Sequence, residues 1–369
     1  MKTFFWLVKR EYWEHRGGFL WAPLVAGGIF LLLLILMILL FEIFRTHAGV
    51  HVGFLNTLVE KADAGDWESA GNAFDMILLI PSIILSAVLG FVVLFYSLGS
   101  LYDDRRDRSI LFWKSLPVSD TRTVLSKVAS ALIMAPVFSI LISVVMGVVL
   151  LLICGFFLAA HGISIWRLLA YTHPLQVLGS LLSFVPLYAL WALPSVGWLM
   201  FCSAWARSKP FLWGVAVPLI AGLFVGLFSV MSPLSFSAKW IWSHVILRAL
   251  LSVFPGSEFV LDAQYLKNMP DTNPNESVAL SLLHSYTLLG SVELWIGVAA
   301  GIALIAGAIW FRRVRDDSCF VRKGRRQHAN EQSHSCIVGS HHRSDRRQHG
   351  QLLLPRRGSQ PGLRRTLDS

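Results

Sequence analysis

The sequence contains few charged residues for its length. Asp, Glu, Lys and Arg make up 15% of the 369 residues, whereas hydrophobic residues make up 55%, and the mean hydropathy is +0.60. A water-soluble domain usually needs about 25% charged residues to cover its surface. The deficit therefore excludes a soluble enzyme, a secreted disulfide scaffold and a disordered hub, and it predicts an integral membrane protein.

Two chemical motifs are also missing from the sequence. No CxxC pair occurs, because the four cysteines stand singly at Cys154, Cys202, Cys319 and Cys336, so neither a disulfide framework nor a zinc site is predicted. No GxxxxGK[ST] segment occurs either, so the chain is not expected to bind ATP in the P-loop manner. We therefore predict that the chain is not an enzyme and holds no metal or cofactor of its own.

Six apolar stretches are long enough to cross a bilayer. A hydrocarbon core of about 30 Å needs about 20 apolar residues in a helix, and the qualifying stretches are 19–44, 75–101, 128–160, 175–203, 211–233 and 292–311. The first is too long for a signal-peptide core and lacks a following cleavage site, so we expect it to be retained. The predicted fold is an all-α polytopic membrane protein with six transmembrane helices.

The positions of Lys and Arg predict the orientation. Segments 1–18, 102–127 and 204–210 contain four, six and two of them, whereas 45–74, 161–174 and 234–291 contain two, one and three. Fourteen more follow Phe311. Because short cytoplasmic loops carry the excess of positive charge, both termini are expected on the cytoplasmic side.

The cores of the six predicted spans contain no Asp, Glu, Lys, Arg or His. Ion-coupled carriers hold ionisable groups near the bilayer midplane, and an intramembrane hydrolase needs paired acids or a nucleophile with a base. Glu42, Asp75 and Glu293 fall at span ends, where an interfacial role is expected. The driving energy is therefore expected to come from outside this chain.

Two polar segments lie on the predicted cytoplasmic side. In the first, 1–16, Phe5, Val8 and Tyr12 share one helical stripe and Arg10 and Glu14 share the opposite one. This pattern is typical of a helix in the headgroup plane, and a simple positively charged anchor is the compatible alternative.

The second polar segment, 102–127, begins with a charge cluster of mixed sign. An apolar stretch and a Leu-Pro pair follow, and then Ser119 or Asp120 as a candidate cap for the helix that enters the third span. A loop that only sets topology needs positive charge and not this order of elements. The segment therefore predicts a short amphipathic element displayed to a cytosolic partner.

These two segments resemble the elbow helix and the first cytoplasmic loop of type-2 ABC exporter permeases, the ABC-2 family. The N-terminal match is the basic–acidic pair Arg10 and Glu11. The loop matches are the charge cluster Asp103, Asp104, Arg105, Arg106, Asp107 and Arg108, the stretch Leu116, Pro117, Val118 and Ser119, and the helix residues Arg122 and Lys127. The resemblance covers about residues 1–315.

The resemblance implies a permease subunit of an ATP-driven exporter in a bacterial inner membrane. Two six-span permeases, identical or homologous, would assemble with two cytosolic ATPase subunits that bind ATP and Mg²⁺. The matching residues would form the surface that couples to the ATPase. The expected partners are thus the ATPase, a second permease and membrane lipid, without nucleic acid. A non-transporting membrane scaffold subunit is the alternative.

The predicted domains are an elbow helix at 1–18, a permease domain at 19–311 and a basic, disordered tail at 312–369. Segment 234–291 is longer than the family usually has there and is expected to form an outer gate or an insertion. Small residues predict close helix packing, within one subunit or between two: Gly222, Gly226, Gly297, Gly301 and Gly307. Residues 318–369 carry eleven Lys and Arg against three Asp and Glu, and assembly and transport are expected not to need them.

Overall fold

The structure, a computed structural model, describes residues 2–48, 67–106, 119–160, 172–231, 238–257 and 285–314. Within these ranges the chain is helical and contains no strand. Of the predicted segments, most of 45–74, the middle of the 102–127 loop, residues 258–284 and the tail from 315 onward lie outside the described residues. The chain divides into two units, Met1–Arg312 and Arg313–Ser369, and the second contributes only Arg313 and Val314 to the description.

Eight helices, labelled here in chain order, make up most of the described residues. The first three are α1 at Lys2–Glu14, α2 at Gly17–Trp21 and Ala22–Ala48, and α3 at Trp67–Arg106. The next two are α4 at Asp120–Ala129, Ser130–Met134 and Ala135–Ala160, and α5 at Pro174–Trp205. The last are α6 at Leu212–Ala216 and Val217–Met231, α7 at Ala238–Ile241, Trp242–Leu247 and Arg248–Leu251, and α8 at Val292–Val314. A 3₁₀ turn, Ser285–Gly290, precedes α8.

Six of these helices are long and apolar enough to cross a membrane, which confirms the all-helical class and the number of predicted spans. The apolar segments are Gly17–Leu40, Ile77–Arg106, Asp120–Phe157, Pro174–Trp205, Leu212–Ser229 and Val292–Val314. The two largest extensions beyond the predicted bounds are at α3, which continues through its charged end to Arg106, and at α4, which begins already at Asp120. Basic residues in the last turn of α3 favour this extension, since they compensate the negative end of the helix dipole. The orientation of the helices stays a prediction.

Proline positions explain where three helices widen into π turns. Each π turn ends two residues before a proline: Gly17–Trp21 before Pro23, Ser130–Met134 before Pro136, and Leu212–Ala216 before Pro218. A proline ring clashes with the carbonyl four residues earlier in an α-helix, and a wider turn moves that carbonyl aside. The three helices therefore continue through their prolines.

Helix α3 lies at the centre of the bundle and packs against α2, α4 and α5. The main core joins α3, α4, α5 and α8 through buried side chains such as Val93, Ala131, Val196 and Ile305. In the most apolar stretch of α2, and likewise of α6, 11% of the residues are buried within the bundle, whereas in α5 the share is 44%. Helices α2 and α6 therefore lie at the periphery and expose apolar side chains.

The five glycines predicted to mediate packing all contact other helices of the same chain. A Cβ on Gly301 would lie 2.8 Å from the backbone of Leu193 in α5, so only glycine permits this approach of α5 and α8. Gly307 faces Phe201 of α5, and Gly297 faces the Arg248 guanidinium of α7. Gly222 and Gly226 face Trp242 of α7. The second alternative, packing between subunits, is not needed to explain these five positions.

Candidate functional site: a buried ion-pair network

The strongest concentration of buried charge begins on α1. Leu7 and Glu11 are buried on one face of this helix, whereas Phe5, Trp6 and Trp13 are more than half exposed. The helical stripe predicted from Phe5, Val8 and Tyr12 is therefore divided: Tyr12 stacks on Phe138 of α4 with ring centroids 4.8 Å apart, while Phe5 is 66% exposed.

Glu11 accepts three polar contacts in a site that excludes water. Its Oε2 lies 3.1 Å from Lys127 Nζ and accepts a hydrogen bond of 3.0 Å from the Tyr96 hydroxyl. Its Oε1 accepts a hydrogen bond of 2.8 Å from Arg10 Nη2. The side chains of Glu11 and Lys127 are each only 1% exposed. A buried charge is tolerated only when it is paired and hydrogen-bonded, and here both are.

The network extends from Lys127 to the last span. Lys127 Nζ also lies 3.3 Å from Asp104 Oδ1, and Asp104 Oδ2 lies 3.4 Å from Arg312 Nη1. Arg312 Nε in turn lies 3.2 Å from Asp120 Oδ1. We call these six residues, Arg10, Glu11, Asp104, Asp120, Lys127 and Arg312, the Glu11–Lys127 network.

Three carboxylates balance three cations in this network, so it buries no net charge. Its members come from α1, the end of α3, the start of α4 and the end of α8. Removing one partner of a buried pair leaves an uncompensated charge and usually costs about 3–5 kcal/mol. The network therefore fixes the ends of four helices relative to one another.

Arg105 serves a different purpose beside the network. Its guanidinium donates to the carbonyl oxygens of Ser203 and Ala206 at the end of α5, and its Nε donates to Leu101 O over 3.2 Å. The Ser203 hydroxyl accepts hydrogen bonds from the Leu101 and Tyr102 amides of α3. Since the last carbonyls of a helix lack partners within it, Arg105 caps α5 and joins it to α3.

The sequence-predicted coupling residues thus fall into three groups. The first group makes contacts inside the bundle: the Glu11–Lys127 network contains Arg10, Glu11, Asp104 and Lys127, and Arg105 binds the end of α5. A second group is exposed at the end of α3 and the start of α4: Asp103, Arg106, Ser119 and Arg122. The third group lies outside the described residues: Asp107, Arg108, Leu116, Pro117 and Val118.

Sequence reasoning did not assign three members of the site. Tyr96 sits eight residues before Asp104 on the same face of α3, Asp120 was considered only as a cap, and Arg312 was counted only among the basic residues that follow Phe311. The predicted topology contained a usable signal, because it places the ends of α3 and α8 and the start of α4 at one membrane face. Opposite charges at one face and near span ends are expected to pair.

Three side chains in or just after the last turn of α1 are of types that bind metal ions. Ligand atoms of Glu11, Glu14 and His15 lie within 4.8 Å of one another. Both Glu11 oxygens already accept contacts from Arg10, Tyr96 and Lys127. The charge of Glu11 is therefore compensated by the protein itself.

A separate polar pair joins α3 to the start of α5. Asp75 Oδ1 accepts a 3.0 Å hydrogen bond from the His173 backbone amide, and the His173 ring lies 3.7 Å from Asp75 Oδ2. Asp75 thus acts as a structural link between α3 and the residue that precedes α5. Its interfacial place stays a prediction.

The comparisons with known proteins give no relative. No protein-family model, no curated protein and no solved structure matches the chain.

Proposed function

We propose that this chain is the permease subunit of an ABC-2 type exporter, with both termini on the cytoplasmic side of a bacterial inner membrane. The observation that carries the proposal is the Glu11–Lys127 network. It joins the segment predicted as an elbow helix to both flanks of the predicted coupling loop, and it does so through buried ion pairs.

A coupling loop transmits motion only if its two flanks are held firmly to the spans. Asp104 anchors the flank that leaves α3, and Lys127 and Asp120 anchor the flank that enters α4. Both flanks are connected to Arg312 of α8, directly or through Asp104. A force applied between Arg106 and Ser119 would therefore reach α1, α3, α4 and α8 together.

The exposed residues next to these anchors supply a docking surface. Arg106 and Arg122 are exposed at the two ends of the segment that runs from 107 to 118. Exposed arginines that are not fixed in the network are suited to charge-assisted contacts with a partner's carboxylates. We propose that this surface receives a cytosolic ATPase. Because this sequence contains no P-loop, the partner is the subunit that binds ATP and Mg²⁺.

Membrane recruitment of the ATPase tests the proposal. The ATPase encoded nearest to this gene is expressed with the wild-type chain or with the double variant Arg106→Glu/Arg122→Glu, and its share in the membrane fraction is measured. We expect the ATPase to move to the membrane with the wild-type chain and to lose most of that association with the double variant.

A matched control uses the same chemical change at the same end of the bundle. Arg207 is exposed just after α5 and lies next to Ala206, the residue that Arg105 contacts. The variant Arg207→Glu should recruit the ATPase as the wild type does. Equal recruitment by the double variant and by the wild type, or no recruitment by either, contradicts the proposal and favours the scaffold alternative.

A further inference from the structure

Helix α8 carries an ion-pair cluster at each end. Arg312, near its end, belongs to the Glu11–Lys127 network, and Glu293, near its start, belongs to a second cluster. The two residues are 19 positions apart in the sequence, which corresponds to about 28 Å at 1.5 Å per helical residue. One helix therefore contacts two separate groups of charges on opposite sides of the apolar core.

The second cluster joins α8 to α7 and α5. Glu293 Oε1 lies 3.0 Å from His244 Nε2, and Glu293 Oε2 lies 3.8 Å from Arg248 Nη1. The Arg248 guanidinium lies over the Trp191 ring of α5, 4.6 Å from its centroid. Trp191 is 2% exposed and the Arg248 side chain 11%. We call Trp191, His244, Arg248 and Glu293 the Glu293 cluster.

Helix α7 is short and packs against other helices of the chain. The apolar part of α7, Trp242–Leu251, is only ten residues long and so extends about 15 Å, half of a bilayer core. It packs against α5 and α6, and the hydroxyl groups of Ser195 and Tyr188 donate to the carbonyls of Arg248 and Val253 over 2.7 and 2.8 Å. The stacking on Trp191 compensates part of the cost of burying the Arg248 guanidinium.

The attachment of α7 to α8 differs from its attachment to α5. Ser195 of α5 donates a hydrogen bond to the Arg248 carbonyl of α7 and Trp191 of α5 stacks on the Arg248 guanidinium, whereas Glu293 of α8 contacts the charged side chains of His244 and Arg248. Gly297 adds a close approach, since a Cβ there would lie 2.6 Å from Arg248 Nη2. A change in the position of α8 therefore alters the ion pairs first.

The contact between α8 and α5 is close. Gly197 of α5 faces the Gly301 carbonyl at a distance that leaves no room for a Cβ, and Gly301 faces the Leu193–Pro194 backbone in the same way. Side chains pack there as well, since Leu304 Cβ lies 3.3 Å from the position of a Cβ on Gly197, and Gly307 faces Phe201. Because α8 is one continuous helix, a displacement of one of its ends is carried along it to the other.

We propose that α8 links the two clusters, so that displacement of Arg312 loosens the Glu293 cluster and makes the buried residues at the end of α7 accessible to solvent. Arg312 and Glu293 are positioning residues in this linkage. Under the proposed function, docking of the ATPase supplies the displacement, and the linkage itself is present in the chain alone.

Thiol labelling tests the linkage without any ATPase. The reporter is Ser252→Cys in a chain whose four native cysteines are replaced. Ser252 directly follows the last residue of α7, is fully buried, and its hydroxyl donates to Arg248 O over 2.7 Å. The labelling rate with a membrane-impermeant maleimide is measured in membranes for the reporter alone and with Glu293→Gln, Arg312→Gln or Arg312→Lys.

We expect Glu293→Gln and Arg312→Gln each to raise the labelling rate roughly fivefold, which corresponds to about 1 kcal/mol. Arg312→Lys keeps the charge and should restore a rate near that of the reporter alone. Unchanged labelling with Arg312→Gln, while Glu293→Gln raises it, overturns the linkage. Unchanged labelling with both variants overturns the role of the Glu293 cluster as well.

A second reporter separates linkage from general loosening of the bundle. Ser180 of α5 is 7% exposed, and its hydroxyl donates to Val177 O within the same helix. With Ser180→Cys as reporter, Arg312→Gln should leave labelling unchanged. An equal rise at both reporters would mean that Arg312 only holds the fold together, and it would overturn the proposal. Failure of ATPase recruitment would leave these labelling results unaffected.

Discussion

Replacing Lys127 by Met tests the energetic role of the Glu11–Lys127 network. Methionine keeps much of the side-chain volume and removes the charge, so Glu11 and Asp104 lose the ammonium that lies 3.1 and 3.3 Å from them. At an effective dielectric constant of about 20, each of these contacts contributes about 5 kcal/mol of Coulomb attraction. Desolvation of the three groups offsets several kcal/mol for each ion.

The net loss is expected to be about 3–5 kcal/mol, because two buried carboxylates then face each other without a cation between them. The change is measured as the shift of the unfolding transition of the purified chain in detergent, with Lys209→Met as control because Lys209 is exposed. Adding Glu11→Gln to Lys127→Met removes one of the two carboxylates, so the double variant should be more stable than Lys127→Met alone. A Lys127→Met chain as stable as the control would refute the reasoning. So would a double variant whose loss of stability equals the sum of the losses of Glu11→Gln and Lys127→Met.

Two further predictions concern helix contacts. Gly301→Ala should destabilise the bundle by about 1–3 kcal/mol, because its methyl group would lie 2.8 Å from the Leu193 backbone. The matched control is Gly28→Ala, whose methyl group would meet no atom within 4 Å. Equal thermal stability of the two variants would contradict the prediction. Arg105→Ala should destabilise the bundle by about 1–3 kcal/mol, since the Ser203 and Ala206 carbonyls lose their hydrogen-bond donor. The loss should appear in thermal unfolding even without an ATPase. A variant that changes only ATPase recruitment would show that Arg105 acts at the docking surface instead.

The membrane class and the six spans are readable from the sequence because each span contains a long apolar run. Helix ends are less readable, as α3 and α4 show: their charged terminal turns stay helical through pairing with residues elsewhere in the chain. Asp104 was found in the charge cluster, but its partner Arg312 lies 208 positions away. No local pattern gives the identity of a partner at that separation.

The Glu293 cluster shows a second limit of sequence reasoning. Arg248 lies in a segment whose mixture of apolar and charged residues suits a membrane surface. Its burial depends on Trp191, Gly297 and Glu293, which stand in two other helices. The glycines were found from their spacing, but the helices that they face follow only from the packing.

ATP hydrolysis by the assembled complex tests the central claim most directly. The chain is co-expressed with the ATPase encoded nearest to its gene, extracted in mild detergent and captured through the chain itself, and the eluate is assayed for ATP hydrolysis. The account predicts that the ATPase co-elutes and hydrolyses ATP with the wild-type chain and with Arg207→Glu, and that both are lost with Arg106→Glu/Arg122→Glu. Elution of the chain alone in every case, without hydrolysis, would contradict it.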